Sequence, residues 1–182
     1  MKAIIIGGSM AGLFAALLLR QRGIEVVVFE RAATELSGRG AGIATHAQIL
    51  DLIESLGLET RELGVSIGLR RVFGPDGRLV AESARPQLMT SWDRLFTLLR
   101  AALPADSYRR GQEFVGAEQN NSAVTARFAD GSRASGDLLI GADGLRSSVR
   151  TSLILTAAVA LRRLRGVARA CGRACVSQSA AQ

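Results

Sequence analysis

The first thirty residues leave this chain little freedom of fold. Ala3 to Ile6 is a short apolar run ending at Gly7-Gly8, the pattern of a buried parallel strand. Residues 11–22, AGLFAALLLRQR, are strong helix formers with a nearly continuous apolar face, and Gly23 stands where a helix-ending glycine belongs. Residues 24–29, IEVVVF, give a second apolar run. Strand, tight turn, helix and strand in this order predict a right-handed βαβ unit, and with it an α/β fold on a parallel sheet.

The turn inside that unit has the form G-x-G-x-x-G with one change: Gly7-Gly8-Ser9-Met10-Ala11-Gly12. Ser9 takes the middle position, where the backbone of such a turn comes nearest a pyrophosphate. Serine is small, and its hydroxyl offers a further hydrogen bond to a phosphate, while Gly8 supplies local freedom. A helix beginning near Met10 presents unpaired N–H groups and a positive dipole end to an anion. Ala16, four residues after Gly12, lets the helix lie close to the sheet. Glu30 follows the second strand directly, 18 residues beyond Gly12, where a carboxylate takes ribose hydroxyls. An acid there repels a 2′-phosphate, which argues against NADP at this site. The expected ligand is a dinucleotide. The alternatives are an α/β domain of flavodoxin type with a tight first turn, and Glu30 as a solvated strand-end acid.

Further along, a glycine-rich loop covers residues 37–42. Thr45 and Gln48 fit a capping box for a helix over 46–56, with Ile49, Leu50, Ile53 and Leu56 at helical spacing. Residues 69–73 and 78–81 flank Gly74-Pro75-Asp76-Gly77, a hairpin turn signal. Residues 91–103 read as a third helix, stopped before Pro104. Residues 108–141 read as strand-rich, with runs at 114–118, 124–128 and 138–140. The last run ends in Gly141-Ala142-Asp143-Gly144.

The net charge of +7 suggests a nucleic-acid or membrane partner until it is divided along the chain. Of 23 basic residues six lie in 150–182, a stretch without acids; the 17 others face all 16 acidic residues. The body is close to neutral, which argues against a basic binding face. Aromatics at 4% argue against stacking platforms for nucleic acid. No apolar stretch is long enough to span a bilayer, and the start MKAIII lacks the features of a signal peptide, so a cytoplasmic protein is expected. Both cysteines, Cys171 and Cys175, lie in the basic stretch at a spacing that completes no zinc site.

Three segments together carry a resemblance to a known family. The run IIIGGSMAGLFAALLLRQRGIEVVVFER resembles the N-terminus of the FAD-dependent aromatic-ring monooxygenases of para-hydroxybenzoate hydroxylase type. RGAGIATHAQILDLIESLGL resembles their G-A-G-I segment and the helix after it. GDLLIGADGLRSSVR resembles their DG segment, with Asp143-Gly144 as the DG pair. The GGS turn and TSWD at 90–93 are most similar to the 2,6-dihydroxypyridine hydroxylase branch.

The resemblance implies a Rossmann-like FAD-binding βαβ domain over 1–149, with an added antiparallel β segment and a C-terminal truncation. It implies FAD as cofactor, NAD(P)H as co-substrate and a small aromatic substrate. By position, Gly7, Gly8, Ser9, Met10, Ala11 and Gly12 would surround the pyrophosphate. Glu30 would bind the adenosine ribose, with Arg31 beside it. Gly40 to Ile43, with Gly42 among them, would lie along the path toward the flavin, Val115 would contact adenine through its backbone, and Asp143 would sit near the pyrophosphate. Where many members carry an arginine at the start of the third helix this chain has Trp92, so Arg94 is the substitute candidate. Trp92 itself and the single histidine, His46, are expected to be structural. No catalytic acid or base is identified, and no metal site is expected.

The resemblance ends after Arg150. Complete members continue into a substrate-binding sheet and return with a G-D-A-A-H-like segment that is not found here. The abrupt shift to Ala, Arg, Val and Leu predicts that residues 150–182 are a frameshifted or otherwise broken end. The competing expectation is a basic amphipathic helix over 153–170. The overall expectation is an FAD-binding portion of a monooxygenase, inactive as this chain. An NAD-dependent oxidoreductase and a non-enzymatic dinucleotide-binding remnant are the alternatives.

Overall fold

A computed structural model describes residues 1–36, 38 and 42–154. The expectations for Gly40, for 155–182 and for the two cysteines lie outside the described residues. The βαβ unit is present: β1 (Lys2–Ile6), α1 (Met10–Gln21) and β2 (Glu25–Glu30). β1 and β2 pair in parallel, Ala3 beside Val26 through Ile6 beside Phe29. Two later strands complete the sheet, β6 (Tyr108–Arg110) against β2 and β10 (Leu138–Gly141) against β1, in the order β10-β1-β2-β6.

Both faces of this sheet are covered, which is why its central strands read as unbroken apolar runs. Ala3, Ile5, Val26 and Val28 point to the helical side. There they meet Leu13, Ala16 and Leu17 of α1 and Leu95, Phe96 and Leu99 of α3 (Trp92–Ala102). Ile4, Ile6, Val27 and Phe29 point the other way, onto Phe114, Ala126 and Phe128 of a second, antiparallel sheet. That sheet consists of β7 (Phe114–Gln119), β8 (Val124–Phe128) and β9 (Arg133–Gly136). Phe29 and Phe128 stack with ring centroids 4.5 Å apart and bind the two sheets together. Each fully buried side chain of this size contributes about 1.5–3 kcal/mol.

A third sheet, ordered β3-β5-β4, is built from β3 (Gly42–Ala44), β4 (Gly64–Phe73) and β5 (Leu79–Ser91). The hairpin turn forms where expected, with the Gly77 N–H donating to the Gly74 carbonyl and Gly77 at φ +79°. Both of its strands are longer than their apolar runs suggest. β5 continues to Ser91, whose hydroxyl accepts the Arg94 N–H and caps α3.

The capping box at Thr45 does not form. α2 (Ala47–Ser55) has His46 at its N-cap, and no side chain caps it. The buried Thr45 hydroxyl instead donates to the Leu88 carbonyl of β5 at 2.8 Å, and its N–H reaches the same oxygen at 2.9 Å. Pairing with β5 turns the Thr45 N–H and hydroxyl toward Leu88 and leaves Thr45 one residue outside the N-cap position, which His46 takes. α4 (Ser148–Leu153) crosses position 150 without a break. Among the described residues, no helix is long and apolar enough to cross a membrane.

Candidate dinucleotide site

The turn between β1 and α1 is compressed from two sides. Gly7 has φ +107°, a conformation that side chains other than hydrogen resist, and a Cβ there would strike the Ala142 and Asp143 backbone. A Cβ on Gly12 would collide with the Gly7 carbonyl, so the helix starts hard against the strand end. A Cβ on Gly8 would strike the Tyr108 hydroxyl and lie 2.8 Å from the Cβ of Glu30. Gly8 is therefore a packing requirement. It is not a source of freedom, because its carbonyl accepts the Tyr108 hydroxyl at 2.9 Å and its N–H donates to Glu30 Oε2 at 2.8 Å.

Ser9 is the N-cap of α1, yet its side chain makes no capping bond. Its hydroxyl is left for a ligand beside the amides of the first helical turn. Glu30 is 8% exposed, and its second oxygen, Oε1, accepts the Ala32 N–H at 2.9 Å. Each carboxylate oxygen then holds one backbone donor and retains acceptor capacity toward solvent. Glu30 is thus no solvated strand-end acid: its neighbours fix its position.

These groups border a cleft of about 320 Å³ over the C-terminal ends of β1 and β2. Its wall includes Gly7, Ser9, Glu30, Arg31 and Asp143 among the sequence-derived candidates. Gly8 and Gly12 lie beneath the turn as packing glycines. Met10 is half-buried against the core and Ala11 is exposed, both in the first turn of α1. The Asp143 carboxylate is engaged: Oδ1 accepts the Ser147 hydroxyl at 2.6 Å, and Oδ2 accepts the N–H groups of Ser148 and Val149.

Arg94, Val115 and Gly42 are not brought to this cleft, whereas Trp92 is. Arg94 borders a separate groove with Glu59, Glu62 and Thr97. Trp92 occupies the cleft side of α3 and stacks on Phe96 at 4.8 Å. Val115 sits at an irregular register between β7 and β8, 56% exposed, while Gln112, Glu113 and Phe114 form the wall instead. Gly42 opens β3 opposite Ser91 and does not border the cleft. His46 is exposed. Among the described residues, no cluster suited to a metal ion occurs.

Residues outside the sequence-derived cofactor candidates also line the cleft, chiefly Gln112, Glu113 and, from the DG segment, Arg146. Tyr108 was missed as well. Its hydroxyl is buried beneath the turn and its pKa is pushed up to about 12, by burial first and then by the nearby Glu30. The guanidinium of Arg100 lies 4.4 Å from the ring centroid and opposes that rise. One signal was available: a polar-tipped aromatic beginning a strand that ends beside Glu30.

The donor set suits a dinucleotide. Helix-start amides, a free hydroxyl, Arg31 and Arg146 match a pyrophosphate, and an anchored carboxylate matches ribose hydroxyls. Comparison with known proteins agrees. The family described as FAD binding domain matches residues 1–164, running past Arg150. 2,6-Dihydroxypyridine 3-monooxygenase of Paenarthrobacter nicotinovorans is 34% identical over 151 residues, covering 82% of this chain and 38% of the relative. FAD-dependent urate hydroxylase of Mycolicibacterium vanbaalenii is 37% identical over 164 residues, covering 82% and 41%. The solved structure of 2,6-dihydroxypyridine-3-hydroxylase from Arthrobacter nicotinovorans superposes with a TM-score of 0.78 at 32% identity, covering 84% of this chain and 39% of that one. Klebsiella pneumoniae HpxO complexed with FAD and uric acid superposes with a TM-score of 0.72 at 31% identity, covering 83% and 41%. The chain spans about two-fifths of the length of these proteins.

Proposed function

The chain belongs to the FAD binding domain family, and on that footing we propose that its cleft takes the ADP half of FAD. One observation carries the assignment: the Glu30 carboxylate and the start of α1 meet on one cleft, joined through the Gly8 amide. The α1 amides, the Ser9 hydroxyl and Arg31 hold the pyrophosphate, with Arg146 as a second cation. Glu30 accepts from the ribose hydroxyls. The wall from Gln112 to Phe114 faces the adenine, and the Val115 backbone continues the same strand next to it. Asp143 borders the pyrophosphate through the segment it holds in place.

Bound FAD supplies two-electron chemistry with NAD(P)H and O2, by which an electron-rich ring is hydroxylated. The residues described here bind and orient the cofactor's ADP end. The names of the relatives refer to 2,6-dihydroxypyridine and urate, both small heteroaromatic compounds. For the whole protein the proposal is therefore an NAD(P)H-dependent monooxygenase acting on a small aromatic or heteroaromatic substrate.

Titration of the purified chain with FAD, followed by flavin fluorescence, tests the reading, with NAD⁺ in a parallel arm. Saturable FAD binding that NAD⁺ does not match supports it. Tighter binding of NAD⁺ would replace it with a nicotinamide-dependent function. NADPH oxidation stimulated by an aromatic compound would show that the chain alone is a working enzyme.

A further inference from the structure

The hydrogen bonds around Gly8 reach beyond the turn itself. Glycine has the widest backbone freedom of any residue, yet here two side chains hold it from both sides. Tyr108 donates to its carbonyl at 2.9 Å and Glu30 accepts from its N–H at 2.8 Å. Both bonds are buried. Tyr108 begins β6 beside Val28, two residues before Glu30 on the adjoining strand. Its ring cannot swing aside, because it is 7% exposed and Arg100 lies over it. Burial pushes its pKa up to about 12, so the phenol is a protonated donor at neutral pH.

We propose that Tyr108 is a positioning residue for ribose recognition: by fixing Gly8 it fixes the Glu30 carboxylate in the orientation that meets the ribose hydroxyls. This rests on the reading of the cleft as an ADP site. Tyr108 does not touch the nucleotide. It acts through one peptide link, and that link also explains why the second residue of the turn is glycine. The space a Cβ would need is filled by Tyr108 and Glu30, independently of any phosphate.

The test compares Tyr108→Phe with the unaltered chain, using calorimetry with ADP, 2′-deoxy-ADP and FAD. The variant removes one donor and keeps the ring. ADP binding is expected to weaken about five- to tenfold, as for one lost buried hydrogen bond. 2′-Deoxy-ADP should weaken much less, so the preference for the ribonucleotide shrinks. A general loosening would weaken both nucleotides equally and keep that preference; such a result, or unchanged binding, overturns the proposal. If the unaltered chain binds ADP but not FAD, the flavin reading fails while the Tyr108 arm is still read on ADP. If it binds neither, both fail.

A second measurement covers a Tyr108→Phe chain that does not fold. The chain has a single tyrosine, so growth on 3-fluorotyrosine replaces this ring alone with a more acidic phenol. The charged groups around it are Glu30, Glu35, Arg100 and Arg110. Ionisation removes the donor to Gly8, so ADP release should move to lower pH in the fluorinated chain. A release profile that does not move overturns the proposal.

Discussion

Oδ2 of Asp143 accepts the backbone N–H of Ser148 at 2.6 Å, and through that bond the segment after β10 is tied to the start of α4. The same carboxylate accepts the Ser147 hydroxyl and the Val149 N–H, and the Ser147 hydroxyl in turn accepts the Arg150 N–H. Asp143 thus shapes the cleft margin through the backbone it holds. Asp143→Ala should lower stability by about 1–2 kcal/mol, the range for losing a helix-start acceptor. Asp143→Asn should lose less. Urea unfolding with FAD absent reads the difference, and an Asp143→Ala chain as stable as the parent would contradict this role.

Glu30→Gln keeps the shape of the side chain but replaces one acceptor oxygen with a donor. It then confronts the Gly8 or the Ala32 amide, each of which needs an acceptor. FAD affinity should fall about tenfold or more, the scale of a hydrogen bond to a charged group. Fluorescence titration measures it, and affinity within twofold of the parent would exclude Glu30 from the site.

Gly12→Ala places a methyl group against the Gly7 carbonyl. The backbone of the turn must move, at a cost of about 1–3 kcal/mol for an overpacked site. A lower midpoint in thermal unfolding, together with loss of FAD binding, is the expected outcome. Gly23→Ala, with nothing near its Cβ position but φ +74°, should lose stability only through backbone strain and leave binding in place.

Trp92 is the single tryptophan of the chain and borders the cleft. Its emission should be quenched as FAD is added, saturating at the same concentration as the flavin signal. Quenching that rises without saturation would place the flavin elsewhere.

The single tyrosine makes the Tyr108 titration directly visible as tyrosinate absorbance near 295 nm. Its folded-state pKa is raised to about 12 from 10.0. The native state therefore holds the proton more tightly than the unfolded chain. The stability this contributes is fully present below pH 10 and is lost as the pH rises through about 12. Absorbance that develops with an ordinary midpoint near pH 10 in a still-folded chain would refute the burial of this phenol.

The strands and helices of the first thirty residues were legible because their signals are local. A four-residue apolar run, a glycine turn and a helical stripe each act within one element, and Glu30 needs only to end a strand. The capping box at Thr45 does not form because Leu88, a strand partner 43 residues away, holds the Thr45 N–H and hydroxyl, and His46 becomes the N-cap instead. β4 and β5 were read too short because most of their length is exposed, so their alternation carries little apolar signal.

Sequence alone determined the βαβ unit, its glycine turn and the carboxylate at the end of β2, since chain stereochemistry and neighbour spacing suffice for these. Only the tertiary structure decided which side chains share the cleft. Trp92 and Arg94 are two residues apart, and a helix turns them about 200° from one another, so that one meets the cleft and the other another groove. Tyr108 reaches Gly8 across 100 residues because β6 pairs with β2. The cause is parallel pairing: it sets strands distant in sequence about 4.8 Å apart and brings their C-terminal ends to one edge.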